Sequence, residues 1–190
     1  MTKKELRKIY LDRRYSLSQD EYNRLNSQLS TNFFSAVDLS IVTTLHTFLP
    51  IEKNMEPDTW QVITGIRSHH PHIHISIPRV NDSTGMLENI LFENTEQLRT
   101  NKWGIPEPYT GSTVPVQEID MVLVPMIIFD RLGQRVGYGK GYYDKFLSMC
   151  RKNCQRIGIS LFEPVERIDD INKFDVPLNY CLTPINFYHF

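Results

Sequence analysis

Residues 121–151, MVLVPMIIFDRLGQRVGYGKGYYDKFLSMCR, decide how the rest of the chain is read. The run 121–128 is apolar, rich in β-branched residues and of strand length, the pattern of a strand covered on both faces of a sheet. Gly133, Gly137, Gly139 and Gly141 follow, and residues 142–151 place Tyr143, Phe146, Leu147 and Cys150 at helical spacing. The stretch predicts a buried strand, a glycine-rich loop carrying Arg131, Arg135 and Lys140, and a helix opening just after the last glycine.

Each part suits a phosphate. Closely spaced glycines bring bare amides up to a ligand, and a helix N-terminus adds orphan donors and a partial positive charge. Arg135 offers a fork for phosphate oxygens and Lys140 a compact charge. Asp144, one turn into the helix, is placed to hold Mg²⁺ with waters and phosphates completing the shell. Two common nucleotide motifs fail. Gly141 follows Lys140 where Walker A needs Ser or Thr, and Tyr142 stands where the Rossmann fingerprint needs glycine. A loop rich in glycine only because it turns sharply stays open as the plainer alternative; the basic residues, the adjacent tyrosines and Asp144 weigh against it.

Residues 129–147, FDRLGQRVGYGKGYYDKFL, resemble the signature of the 5-formyltetrahydrofolate cyclo-ligase family, F-D-x-x-G-x-R-[LV]-G-x-G-x-G-Y-Y-D. The resemblance implies an α/β protein, a three-layer Rossmann-like fold with a mostly parallel central sheet, and ATP and Mg²⁺ as cofactors. It assigns nucleotide contacts to Arg135, Val136, Gly137, Tyr138, Gly139, Lys140 and Gly141 with Tyr142 and Tyr143, and the metal to Asp144. Arg135 and Lys140 are then the residues expected to act on the transferring phosphoryl group.

The remaining chain extends the comparison. Thr2-Lys3-Lys4-Glu5 fits a capping box that opens a first helix. By charge pattern Lys3, Lys4, Arg7, Arg13 and Arg14 read as a solvated basic face; the resemblance instead gives Lys3 and Arg7, with Lys4 beside them, to ATP. A second box at 18–21 opens a helix to about residue 34, with Tyr22, Leu25, Leu29 and Phe33 inward. Residues 41–48 read as a buried strand ending at Pro50. Pro57 is expected at the first position of a helix reaching residue 69. Glu56 and Leu49 match the family's folate contacts, joined by Tyr138 and Tyr142. On its own, Glu56 also reads as a carboxylate that merely favours a helix N-terminus.

His69, His70, His72 and His74 lack metal-ligand spacing and read as solvent-facing, before and within a strand at 72–77. Arg79 is a candidate pocket residue, followed by a turn at 81–85 and a strand at 87–92. Residues 103–108, WGIPEP, resemble another family element and read as an extended, stiff loop. There Trp103 and Tyr109 either wall an aromatic pocket or simply pack. Residues 155–160 form another strand. In the tail, Phe174 replaces the family's common histidine and Asn179 a carboxylate that some relatives turn toward Mg²⁺. Tyr138 stands where relatives carry arginine or an aromatic, so contact by charge is not expected there.

A length of 190 residues suits one domain, 1–190, and a net charge of −1 argues against nucleic acid as a partner. No apolar run is of membrane-spanning length, and the first thirty residues are too charged for a signal peptide. Three cysteines without zinc spacing read as reduced thiols, hence a cytoplasmic protein, expected as a monomer. The resemblance implies ATP-dependent closure of the small-molecule substrate 5-formyltetrahydrofolate to 5,10-methenyltetrahydrofolate, with release of ADP and phosphate. Two other readings fit: a folate-binding or regulatory protein on the same fold, and another small-molecule kinase or ligase.

Overall fold

The computed structural model describes residues 1–101 and 104–190. Helix α1 (Lys3–Tyr15) starts as expected, with the Thr2 side chain accepting from the Glu5 amide and Glu5 returning to the Thr2 amide. Ser18 and Glu21 repeat the device at α2 (Gln19–Ala36). Strand β1 (Thr44–His46) is shorter than the expected 41–48, and Ile41 is 72% exposed. The amides of Thr43 and Thr44 instead donate to the Asp120 carboxylate at 2.8 and 3.0 Å, which starts the strand late. In α3 (Thr59–His69) the N-cap is Asp58, whose side chain accepts from the Trp60 amide. Pro57 therefore precedes the cap and is not the first helical residue.

Strands β2 (His74–Asn81) and β3 (Met86–Leu91) form a hairpin. β2 starts later than residue 72, because the Ile73 amide closes a turn onto the His70 carbonyl. His69, His72 and His74 face solvent. The expected stiff loop is a two-stranded ribbon, β4 (Leu98–Thr100) against β5 (Pro106–Pro108). Strand β6 (Met121–Pro125) covers only part of the run 121–128. Pro125 lacks an amide hydrogen and ends the ladder. The Ile127 amide then bonds to the Val136 carbonyl, and β7 (Ile128–Phe129) pairs with β8 (Arg135–Val136) in a separate hairpin. Helix α4 (Tyr142–Met149) opens at Gly141, as expected. β9 (Gln155–Ile159), β10 (Tyr180–Leu182) and β11 (Phe187–His189) complete the chain.

The main sheet runs β11-β10-β9-β6-β1-β2-β3, parallel from β10 through β2 with an antiparallel strand at each edge. Alternation along β6 serves both faces. Met121 and Leu123 pack with Leu29, Phe33, Ile63 and Ile66 of α2 and α3, while Val122 and Val124 pack with Phe146 and Leu147 of α4. This is the expected three-layer architecture, with β6 buried on both sides. No helix among the described residues is long and apolar enough to cross a membrane.

Candidate active site

At the carboxyl ends of β1 and β6 lies a cleft of about 1010 Å³, the position that open α/β sheets offer a ligand. Lys3, Lys4 and Arg7 of α1 line it, as do Leu49 and Glu56 after β1 and the loop from Gly137 to Gly141. Arg135, Tyr142, Tyr143 and Asp144 complete the predicted set on its walls. Val136 is the exception. Its side chain is fully buried among Leu6, Ile128 and Ile168, because β8 turns alternate residues inward.

The cations differ in how they are held. Arg135 is only 9% exposed; its Nη2 donates to Asp144 Oδ1 at 2.6 Å and its Nη1 to the Val176 carbonyl. Lys3 Nζ meets Asp175 Oδ2 at 2.5 Å, and Arg7 Nε donates to the Gly137 carbonyl at 2.8 Å. Lys140 is exposed on the cleft wall. Gly139 has φ +90°, and a Cβ built on Gly137 would meet nothing within 4 Å, so the loop presents backbone to open space.

Several carboxylates line the cleft, and two of them, Asp144 and Asp175, are paired with its cations. Asp144 Oδ1 also accepts from the Val176 amide at 3.1 Å, and Asp175 Oδ2 from the Asn172 amide at 2.7 Å. Among the described residues the other oxygen of each has no hydrogen-bond partner, which suits a hard divalent cation. Asn179 is not part of this wall. Its Oδ1 accepts from the Arg156 amide and Nε, both at 3.0 Å, and ties β10 to β9. The carboxylate that the tail brings to the cleft is Asp175, with Phe174 beside it, 72% exposed.

Glu56 is 3% exposed and accepts from the Ile51 amide at 2.8 Å. Burial pushes its carboxyl pKa above the ordinary range. It does not cap α3; Asp58 does. Burial likewise raises the Tyr138 and Tyr143 phenols. Behind Tyr143, His46 is fully buried, its Nε2 3.4 Å from the Tyr143 hydroxyl, and desolvation lowers its pKa to about 3.

The expectations for Arg79 and Arg14 fail, and Tyr109 takes the packing alternative. Arg79 points away from the cleft and pairs with Glu88 at 2.7 Å, while its strand neighbours Pro78 and Val80 line it, as a period of two requires. Tyr109 is 46% exposed, lies past the end of β5 and is covered by the Arg99 guanidinium at 3.8 Å. Arg14 is not solvated: it is fully buried, and its Nη1 donates to the Tyr138 hydroxyl at 2.9 Å. Arg13, beside it, lies over the rings of Tyr10 and Phe162. The seven-residue spacing of Arg7 and Arg14, which keeps both near one stripe of α1, is the signal that separates Arg14 from Arg13. Trp103 lies outside the described residues.

The chain is similar to the 5-formyltetrahydrofolate cyclo-ligase of Escherichia coli (strain K12), 25% identical over 90% of this chain and 94% of the relative. It is 33% identical to a probable 5-formyltetrahydrofolate cyclo-ligase of Schizosaccharomyces pombe over 58% of this chain and 61% of that one. The NMR structure of Aquifex aeolicus 5,10-methenyltetrahydrofolate synthetase superposes with a TM-score of 0.82 at 26% identity, covering 100% of this chain and 93% of that one. With residues 1–184 matching the family as well, the chain belongs to the 5-formyltetrahydrofolate cyclo-ligase family.

Proposed function

We propose that this protein closes 5-formyltetrahydrofolate to 5,10-methenyltetrahydrofolate, with ATP as phosphoryl donor and Mg²⁺ as its counter-ion. One observation carries the reading: cations, glycine amides and the carboxylates Asp144 and Asp175 share a single cleft with a buried acceptor carboxylate, Glu56. The donor set fits a Mg-nucleotide. Open space at Gly137 leaves room for phosphate against the loop, and Asp144 and Asp175 supply hard oxygens.

ATP supplies the phosphoryl group that makes the formyl oxygen a leaving group. The chain's own task is then positioning and charge stabilisation. Lys140 and Arg7 meet phosphate charge directly. Arg135, braced by Asp144 and the Val176 carbonyl, sets the field of the loop from behind. Glu56 offers its carboxylate to substrate N–H donors, with Leu49 and Tyr142 as walls. Three unbridged thiols support a cytoplasmic setting. One sheet with cores on both faces supports a single domain, which we take to act as a monomer.

The test is direct. Incubation with 5-formyltetrahydrofolate, Mg²⁺ and ATP should give a near-ultraviolet absorbance rise from methenyltetrahydrofolate. Folded protein that gives no ATP-dependent rise would overturn the proposal.

A further inference from the structure

The cleft wall that carries Lys3 and Asp144 continues into the tail, where the most exposed aromatic among the described cleft residues stands. Phe174 is 72% exposed, whereas Tyr138 is 36% exposed and Phe48 4%. Single exposed apolar residues are ordinary on a protein surface. Ile41 and Ile185 are also 72% exposed, yet neither lines the cleft. Phe174 does, and its surroundings hold it there.

The Phe174 amide donates to Asn172 Oδ1 at 2.9 Å, and the Asp175 amide to the Asn172 carbonyl at 3.1 Å. The Asn172 amide returns to Asp175 Oδ2 at 2.7 Å, which closes the turn on itself. Two contacts tie this turn to the start of α1. The Lys3 amide donates to Asp170 Oδ1 at 2.6 Å, and Lys3 Nζ meets Asp175 Oδ2 at 2.5 Å. Downstream, the Val176 amide donates to Asp144 Oδ1 at 3.1 Å and the Val176 carbonyl accepts from Arg135. The backbone at position 174 is thus pinned on both sides, which leaves the ring only its own side-chain torsions.

Placement indicates which ligand the ring would meet. Two residues of chain span at most about 7 Å, so Phe174 lies close to the Asp144–Arg135 pair and next to the Lys3–Asp175 pair. These groups belong to the proposed phosphate seat. The folate contacts Leu49 and Glu56 come instead from the segment after β1. Lys173 Nζ stands 5.1 Å from the Phe174 ring centroid. A ring has two faces, so one remains for a flat ligand, and a nucleotide carries such a group one ribose away from its phosphates.

We propose that Phe174 is the shelf on which the nucleotide base stacks, at the mouth of the cleft beside the phosphate seat. The inference rests on the Mg-nucleotide reading of the cleft and deepens it. Base–aromatic stacking uses the face of the base and needs no hydrogen-bond partner. Inorganic tripolyphosphate has the phosphates without the base, so it separates a stacking role from a merely structural one.

The experiment titrates wild type, Phe174→Ala, Phe174→Leu and Phe174→Trp by calorimetry with the Mg²⁺ complexes of a non-hydrolysable ATP analogue and of tripolyphosphate. KM for 5-formyltetrahydrofolate is read in parallel. Phe174→Ala should bind the analogue about fivefold or more weakly, the scale of one lost stack. Its affinity for tripolyphosphate and its folate KM should stay within about twofold. Phe174→Trp should keep the wild-type affinity for the analogue, and Phe174→Leu, similar in bulk but without a π face, should not. Unchanged analogue affinity in Phe174→Ala, an equal loss for tripolyphosphate, a raised folate KM, or a leucine variant as tight as wild type would each overturn the inference. A wild type that binds the analogue while Phe174→Ala is indifferent removes this inference alone. A wild type that binds neither probe removes the nucleotide reading of the cleft and this inference with it.

Discussion

Gly137 and Gly139 carry the same residue for different reasons, and replacing each with alanine separates them. Gly139 has φ +90°, so alanine there is strained whatever the surrounding space, although its Cβ would sit 3.6 Å from the Arg7 guanidinium without a clash. Strain of this kind costs about 1–3 kcal/mol, which for a chain of this size lowers Tm by several degrees, at about 2–4 °C per kcal/mol. Gly137 is different. It is not among the residues with positive φ, and its Cβ would meet nothing within 4 Å. Nothing in the free protein requires glycine at that position. Gly137→Ala should therefore leave stability unchanged or raise it by up to about 1 kcal/mol, through the restricted unfolded chain.

Ligand binding should respond differently. If phosphate packs against the loop amides, the new methyl at 137 takes ligand space, and affinity for a Mg-nucleotide should fall at least about tenfold, or about 1.4 kcal/mol. Thermal denaturation together with calorimetric titration of a non-hydrolysable ATP analogue reads both quantities. A Gly137→Ala protein with unchanged Tm and unchanged nucleotide affinity would refute the phosphate cradle. The loop would then be glycine-rich for its turn alone.

Two further outcomes follow from the same geometry. Lys140→Ala should lower kcat by about 10²–10³-fold, the scale for removing one charge-stabilising group, with Tm unchanged because the side chain is exposed; an unaltered rate removes Lys140 from the chemistry. His46 has its pKa lowered to about 3 by burial, so the folded state resists its protonation and its contribution to stability is kept above the unfolded value near 6.5 and lost as pH falls below it. The loss grows to about 5 kcal/mol at pH 3 at 1.36 kcal/mol per unit, and His46→Gln should flatten the acid limb of urea-unfolding stability measured from pH 7 to 4; parallel curves would show that His46 does not set it.

What could be read in advance was local. Capping boxes at residues 2–5 and 18–21 need only four consecutive residues, and both formed. The apolar run at 121–128 announces a doubly covered strand, but the strand itself ends at Pro125. Apolar character says that a segment is buried; it does not say whether the ladder continues. Pro125 alone decides that, by lacking a donor where β6 would need one. The shortened β1 has a similar cause, since the carboxylate that takes its first amides belongs to Asp120, far along the chain. Burial follows from composition, but the partner of each amide follows from topology.

The site divides along the same line. Residues whose backbone does the work, Gly137 through Gly141 at the mouth of α4, lie where their spacing placed them, because turn and helix start are local matters. Side chains that meet across the sheet do not announce themselves. Arg13 and Arg14 are chemically alike and adjacent, yet one lies over two rings and the other is enclosed beneath the loop. A helix turns 100° per residue, so neighbours on α1 face different surroundings, and it is Tyr138 and the Met126 carbonyl, 124 and 112 positions away, that take the buried arginine's donors. The tail shows the same logic with carboxylates. Asn179, just before β10, carries its side chain to Arg156 of β9, whereas Asp175, four residues earlier, reaches the cleft. The substitution at 179 therefore removes no charge from the cleft wall, where Asp144 and Asp175 stand paired with Arg135 and Lys3.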